Sequence, residues 1–227
     1  MNPAGAALIV GVLGLDQTAV AQVLLSQPLV GGAILGWCVG DPGSGLLAGA
    51  FFQFLCLTDL PVGASVPPDS ALAGLICVAI FLSLGHTAGW GDQALLGLLA
   101  AVFLPLAMVA RDLDVRVRRA NRIWTRFAMN LLERGHLRSA QAAATGGIIL
   151  FFLRAFVLAL IILAAVAFWG GAGLERAAGA AAAFELFARF VPLIGLASLL
   201  SHRSRPGWPT ALGAGLAAGI IFSQSVL

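Results

Sequence analysis

Long apolar runs separated by short polar breaks occupy most of this chain. Several runs approach or exceed the roughly 20 residues that a membrane-spanning helix needs: 3–25, 70–90, 93–110, 146–169, 177–200 and 207–227. Charged positions are concentrated between the runs rather than spread on one face of each. The pattern predicts an all-α polytopic membrane protein with about six to eight hydrophobic segments, some of them broken or re-entrant helices near residues 28–69.

Residues 28–69 are apolar but repeatedly interrupted. The pieces 28–40 and 44–58 are too short to cross a bilayer, and the turn sequence Gly40-Asp41-Pro42-Gly43 joins them. We therefore expect a re-entrant hairpin or a broken helix. Residues 59–69 cannot form a regular helix, because three prolines remove backbone donors. Irregular backbone at membrane depth is tolerated where it lines a cavity, which is where transporters hold their substrates.

Polar groups converge in this interrupted stretch, and they suit an uncharged polar ligand such as a sugar. The predicted substrate-binding residues combine side chains with freed backbone groups: Asp69, Gln53, Ser65, Gly63, Ala64, Pro67 and Asp41. Structural alternatives stay open for three of them. Asp69 is placed to cap a helix starting near Ser70. Asp41 is suited to fix its turn, and Gln53 to make a hydrogen bond between packed helices.

Composition and charge agree with a membrane protein. The chain is 60% hydrophobic and 10% charged, with a mean hydropathy of +0.98, whereas a soluble domain has about 25% charged residues. All 13 basic residues are Arg, and eight of them lie in residues 111–138. Apolar positions recur at helical spacing from Ile123 to Leu132, which predicts an amphipathic helix lying at the cytoplasmic membrane surface. We divide the chain into a membrane region 1–110, a cytoplasmic loop 111–145 and a membrane region 146–227.

A few charges fall inside apolar segments, where an ionised side chain is costly. Asp16 either marks a functional site or caps a second helix beginning at Gln17. Arg154 either snorkels or pairs with another helix, or it faces the substrate path or an acidic partner. Glu185 and Arg189 stand four residues apart and can pair on one helix face.

Other function classes lack support in the sequence. The chain has no nucleophile–base pair, no Gly-rich phosphate loop and no metal-ligand cluster, so we predict neither cofactor, nor metal, nor catalysis by this chain alone. Its three Cys lie in apolar segments and suit packing. The use of Arg in place of Lys suits a GC-rich genome, the bunching of Arg in one loop is what membrane orientation produces, and we predict no nucleic-acid partner.

At residues 28–80 the sequence resembles the enzyme IIC (permease) subunits of the mannose–fructose–sorbose class of the bacterial phosphoenolpyruvate-dependent sugar phosphotransferase system. The resemblance rests on motifs in a fixed order: Pro28-Leu29, Gly40-Asp41, Gly45 and Gly49, Val62–Val66, and Pro68-Asp69. LLERGHLRSA at 131–140 is similar to the basic cytoplasmic segment of that family. The resemblance is strong over 28–80 and weak beyond about residue 170.

The resemblance implies a multi-pass subunit of the bacterial cytoplasmic (inner) membrane. With a IID membrane subunit it would form the path for a hexose or amino sugar, while soluble IIA and IIB subunits carry the phosphorylated His or Cys. Three positions differ from the family pattern: Gln53 replaces a common Glu, Pro61 replaces a commonly polar residue, and Asp59 is unusual in its place. These differences leave an alternative open, a divergent subunit that anchors or regulates a phosphotransferase complex without transporting.

Overall fold

The computed structural model describes residues 2–17, 20, 22–56, 67–85 and 90–201. Within these ranges the chain is helical and contains no β-strand, which confirms the all-α prediction. The helices are α1 Pro3–Leu15, α2 Pro28–Val39, α3 Pro42–Cys56, α4 Ser70–Leu84, α5 Asp92–Glu133, α6 Leu137–Arg176 and α7 Ala181–Ser201, with one 3₁₀ turn at Ala178–Ala180. The predicted last span, 207–227, lies outside the described residues.

Helices α2 and α3 form the hairpin that the sequence predicts. Gly40 ends α2 in the left-handed conformation, with φ of +87°, which glycine adopts without a steric penalty. The two helices pack backbone to backbone. A Cβ on Gly36 would lie 2.5 Å from the carbonyl oxygen of Asp41 and 2.8 Å from the Cα of Gly45. Small residues at four-residue spacing on both helices permit this approach.

Helix α4 is the buried centre of the fold. Twelve of its residues, Ala71 to Leu82, are buried, and it contacts α1, α2, α3, α5 and α6. Phe52 of α3 stacks on Phe103 of α5 beside it, with ring centroids 5.8 Å apart. A helix that is apolar on every side must be covered on every side, and the surrounding helices provide that cover. The predicted span 70–90 is helical only to Leu84.

Helices α5 and α6 are long and apolar enough to cross a membrane, and no other described helix meets both criteria. Helix α5 has 42 residues, about 63 Å at 1.5 Å per residue. Gly135, with φ of +80°, turns the chain into α6, which has 40 residues and packs along α5.

The Arg-rich segment differs from its predicted form. Residues 111–133 do not form a separate surface helix but continue α5 without a break, because the backbone hydrogen-bond ladder runs on past residue 110. The proposed divisions at 110/111 and 145/146 therefore fall inside α5 and α6. Residues 170–176, between the predicted spans 146–169 and 177–200, also belong to α6, and the chain turns at residues 177–180.

Asp16 closes the end of α1 rather than opening a new helix. It is the C-cap of α1, and residues 16–17 form a turn, so the predicted helix start at Gln17 is wrong. Its carboxylate accepts hydrogen bonds from the backbone N–H of Val23 at 2.8 Å and of Ser26 at 3.2 Å. The Asp16 oxygens thus accept hydrogen bonds from backbone N–H groups of the segment before α2. Within a helix, such groups would donate to backbone carbonyls instead.

The outer helices attach through close contacts at small residues. Gly11 and Gly14 of α1 pack against Phe156 and Ala155 of α6. Gly97 of α5 lies against the backbone of Phe184 in α7. Glu185 and Arg189 form the predicted pair, with a 2.8 Å nitrogen–oxygen distance, on the exposed side of α7.

Candidate substrate-binding site

Three charged side chains from three helices meet inside the fold. The Nη1 atom of Arg154, on α6, lies 2.9 Å from Oδ2 of Asp69 and 2.9 Å from Oδ1 of Asp114, on α5. The Arg154 side chain is 2% exposed, and the two carboxylates are 6% and 7% exposed. Buried charges are stable in proteins when they are paired, and this cluster pairs one guanidinium with two carboxylates.

Asp69 is fixed by both its backbone and its side chain. It follows Pro67 and Pro68 and is the N-cap of α4, where its Oδ1 accepts from the N–H of Leu72 at 3.2 Å. Its own backbone N–H donates to the carbonyl oxygen of Ala107 on α5 at 3.1 Å. The predicted capping role is therefore present. The ion pair with Arg154 is additional and leaves Asp69 attached to α4, α5 and α6.

Arg118 balances the second carboxylate. Its Nε lies 2.5 Å from Oδ2 of Asp114, one helical turn away on α5. Its guanidinium also lies over the ring of Phe151 on α6, 5.8 Å from the centroid, within the range of a cation–π interaction. Because Arg118 is 51% exposed, it marks the side where the cluster reaches the surface.

A small polar cavity opens beside the cluster. Its volume is about 100 Å³, and it is bordered by proline, acidic, basic and amide side chains: Gln17, Pro67, Pro68, Asp69, Arg111, Asp114 and Arg118. This space exceeds the roughly 10–15 Å³ that one water molecule needs. A cavity with several fixed hydrogen-bonding groups is suited to a small polar ligand.

Gln53 belongs to a different polar contact. Its Nε2 donates to Oε1 of Gln27 at 3.0 Å, and its Oε1 accepts from the N–H of Leu29 at 3.4 Å. Gln53 therefore links α3 to the first turn of α2, as the helix-packing alternative predicts. The side chain of Asp69 instead contacts α4 and α6.

Asp41 fixes the hairpin turn. Its Oδ1 accepts from the N–H of Ser44 at 3.0 Å, and its backbone N–H donates to the carbonyl oxygen of Gly36 at 2.9 Å. These bonds cap the start of α3 and close the end of α2. The structural alternative for Asp41 accounts for this geometry.

The structure brings some predicted residues together and separates others. Pro67 and Asp69 line one cavity, whereas Gln53 and Asp41 lie in the α2–α3 hairpin. Gly63, Ala64 and Ser65 lie outside the described residues. Three charged residues of the cluster were absent from the predicted site: Arg154, Asp114 and Arg118. Arg154 could be suspected from the sequence, because it is a lone charge within an apolar helix and an acidic partner was one of its predicted alternatives.

The described residues contain no group of three His, Cys, Asp or Glu side chains placed to hold a metal ion. The cavity beside Asp69 is lined by charged side chains, by Gln17 and by two prolines. It can bind and orient a polar molecule through hydrogen bonds.

Sequence comparison identifies the family. A family model described as the PTS system sorbose-specific IIC component matches residues 4–206. The chain belongs to this family. The resemblance found at residues 28–80 is thereby confirmed, and the match extends over most of the IIC chain.

Curated IIC proteins are similar to part of this chain. The mannose-specific EIIC component of Escherichia coli K12 is 25% identical over 136 residues, which cover 60% of this chain and 48% of that protein. The sorbose-specific EIIC component of Klebsiella pneumoniae is 27% identical with the same coverage. The fructose permease IIC component of Bacillus subtilis is 24% identical over 64% of this chain and 52% of its own. The chain spans about half the length of the curated relatives it matches.

Solved structures share the fold of this IIC chain. One, described as the structure of a membrane protein, has a TM-score of 0.70 at 20% identity and covers 98% of this chain and 93% of its own. Another comes from the complex of the mannose transporter ManYZ with microcin E492, with a TM-score of 0.59 at 22% identity, covering 95% and 84%. At these identities the likeness establishes the fold alone.

Proposed function

We propose that this chain is a multi-pass permease subunit of the bacterial cytoplasmic membrane, where it takes up a hexose or amino sugar coupled to phosphorylation. The observation that carries the proposal is the position of Asp69: it opens onto a polar cavity in a chain of the IIC family. A carboxylate has about four acceptor positions. Leu72 and Arg154 contact one oxygen each, so further lone pairs of Asp69 are available for sugar hydroxyls.

The rest of the sugar site follows from the sequence motif. We assign further sugar contacts to Ser65 and to the backbone of Gly63 and Ala64, on the sequence motif alone. Gln53 is bonded to Gln27 and Leu29 in the α2–α3 hairpin, apart from the cavity beside Asp69, and its remaining N–H and lone pair would contact a sugar hydroxyl from there. Asp41 holds the hairpin in position and so supports the site indirectly.

The proposed partners are the other subunits of a phosphotransferase system. A IID membrane subunit completes the path, and soluble IIA and IIB subunits supply the phosphoryl group. Phosphoryl-transfer residues then lie on other subunits, and this chain transports without catalysing. The chain also contacts the lipid bilayer and binds the sugar, and we expect no nucleic-acid partner.

Uptake of labelled sugars tests the proposal. Cells lacking their own uptake systems would express this chain with its companion IID and IIA/IIB subunits, and mannose, fructose, sorbose and N-acetylated amino sugars would be supplied in turn. We expect phosphoenolpyruvate-dependent accumulation of one sugar as its phosphate, and its loss in Asp69→Asn. Full uptake by an Asp69→Asn protein that assembles normally would remove Asp69 from the site.

A second candidate function is an anchoring or regulatory subunit without transport. It is favoured by the cytoplasmic continuation of α5, where Ile123, Trp124 and Phe127 remain exposed beside several Arg side chains. A basic helix with exposed apolar side chains is suited to bind another protein. A complex that co-purifies intact but moves none of the sugars would support this function, and any coupled uptake would exclude it.

A further inference from the structure

Arg111 lies at the edge of the cavity, and it forms no ion pair with any of the described residues. Its Nε is buried and has no hydrogen-bond partner among the described residues, and its side chain lines the cavity beside Asp69 and Asp114. Burying a guanidinium N–H without an acceptor is costly. The position therefore requires an acceptor that the described part of the chain does not supply.

Among the described residues, the charges around the cavity do not balance. Two carboxylates, Asp69 and Asp114, face three guanidinium groups, Arg111, Arg118 and Arg154. Counting −2 against +3 leaves one positive charge. Both carboxylates are already paired with Arg154 or Arg118, so Arg111 carries the charge that lacks a partner. A charged group with this surplus attracts an anion.

The surroundings favour a compact anion with several acceptor oxygens. The guanidinium of Arg has donors in a fixed fork that matches phosphate oxygens. The amide of Gln17 adds a further donor at the cavity wall. The volume of about 100 Å³ accommodates a single tetrahedral group rather than an extended polyanion.

We infer that this cavity is a phosphoryl-group site in which Arg111 anchors a phosphate ester. Arg111 lies where the apolar half of α5 passes into its Arg-rich half, the position expected for the cytoplasmic boundary of the membrane. The inference rests on the proposed function for its natural ligand. A sugar that is phosphorylated on arrival presents its new phosphoryl group on this side.

Direct binding to the purified full chain tests the site without transport. The chain would be reconstituted in phosphatidylcholine nanodiscs and titrated with inorganic phosphate and a hexose 6-phosphate by calorimetry. We expect saturable binding that weakens at least tenfold in Arg111→Gln, the loss expected for a charge-assisted hydrogen bond of roughly 1.5–3 kcal/mol. Arg119→Gln, an exposed Arg on the same helix, is the matched control and should change affinity less than twofold.

A parallel series in nanodiscs containing a minor fraction of phosphatidylglycerol distinguishes a lipid headgroup from a soluble ester. Arg111-dependent retention of the lipid alone would make the ligand a headgroup phosphate and would still support a phosphoryl site. Should Arg111→Gln fold poorly, Arg111→Lys keeps the charge and should lose only the forked contact. Equal weakening by Arg111→Gln and Arg119→Gln, or no binding in either series, would overturn the site.

Different results would contradict the permease function and the phosphoryl-group site. Coupled sugar uptake together with no phosphate binding would overturn the phosphoryl site and leave the permease. Arg111-dependent binding in a chain that supports no uptake would retain the phosphoryl site and argue against the permease.

Discussion

Arg154 on α6 and Asp69 at the start of α4 form a buried ion pair, with 2.9 Å between Nη1 and Oδ2. The same Nη1 reaches Asp114 on α5 at the same distance. One guanidinium therefore joins the N-terminus of α4 to the middle parts of α5 and α6. A pair of this kind is weak evidence of added stability, but the removal of Arg154 leaves Asp69 buried without its counter-charge and Asp114 with Arg118 alone.

Replacing Arg154 by Leu should destabilise the protein severely. The change leaves Asp69 and Asp114 close together, buried and without Arg154, and breaking such a pair costs about 3–5 kcal/mol. Thermal unfolding of the purified protein in detergent would show the loss. Arg189→Gln is the control, because its pair with Glu185 is half-exposed and worth about 0–1 kcal/mol. Equal unfolding temperatures for the two variants would contradict the buried cluster.

Adding a methyl group at Gly36 should force α2 and α3 apart. The new Cβ would lie 2.5 Å from the carbonyl oxygen of Asp41 and 2.8 Å from the Cα of Gly45, and backbone atoms cannot rotate away. We expect Gly36→Ala to lose about 1–3 kcal/mol, the usual cost of overpacking. Gly5→Ala, in open space on α1, should be neutral or stabilising. Equal stability of both variants would argue against backbone contact in the hairpin.

Asp41 should be replaceable by Asn but not by Ala. Both Asp and Asn accept a hydrogen bond from the N–H of Ser44, whereas Ala leaves that donor uncapped. Asp41→Ala should cost about 1 kcal/mol of unfolding free energy, and Asp41→Asn much less. Urea or thermal unfolding in detergent measures the difference. If Asp41→Asn assembled normally but abolished sugar uptake, the carboxylate itself would be needed in the site.

A carboxylate at position 53 should be tolerated. In Gln53→Glu the N–H of Leu29 retains its acceptor, and a negative charge near the first turn of α2 is favourable by about 0.3–1 kcal/mol. Gln27 can rotate its amide to donate in turn. We expect unchanged stability and equal or greater sugar uptake. Gln53→Leu, which removes both hydrogen bonds, should lose about 1 kcal/mol and serves as the comparison.

Short-range sequence signals were sufficient to predict the α2–α3 hairpin. Gly40 and Asp41 determine the turn because a left-handed position and a helix cap depend on the residues beside them. Gly135 acts in the same way between α5 and α6. The capping role of Asp69 could likewise be predicted from its place before an apolar helix.

Continuity of α5 was not predictable from hydropathy. The change from apolar to Arg-rich sequence near residue 110 suggested two elements, yet the backbone hydrogen bonds of a helix form regardless of the polarity of its outer face. The helix direction of residues 111–133 is therefore set by the preceding span and by packing against α6.

The sequence by itself determined the helical class, the hairpin and the membership in the IIC family, because these depend on composition, short-range backbone chemistry and ordered motifs. The tertiary structure alone decided that Arg154 pairs with Asp69 and Asp114 and that the Nε of Arg111 has no hydrogen-bond partner among the described residues. These contacts join residues distant in the chain. They depend on how α4, α5 and α6 are rotated and shifted against one another, which packing of the whole fold determines.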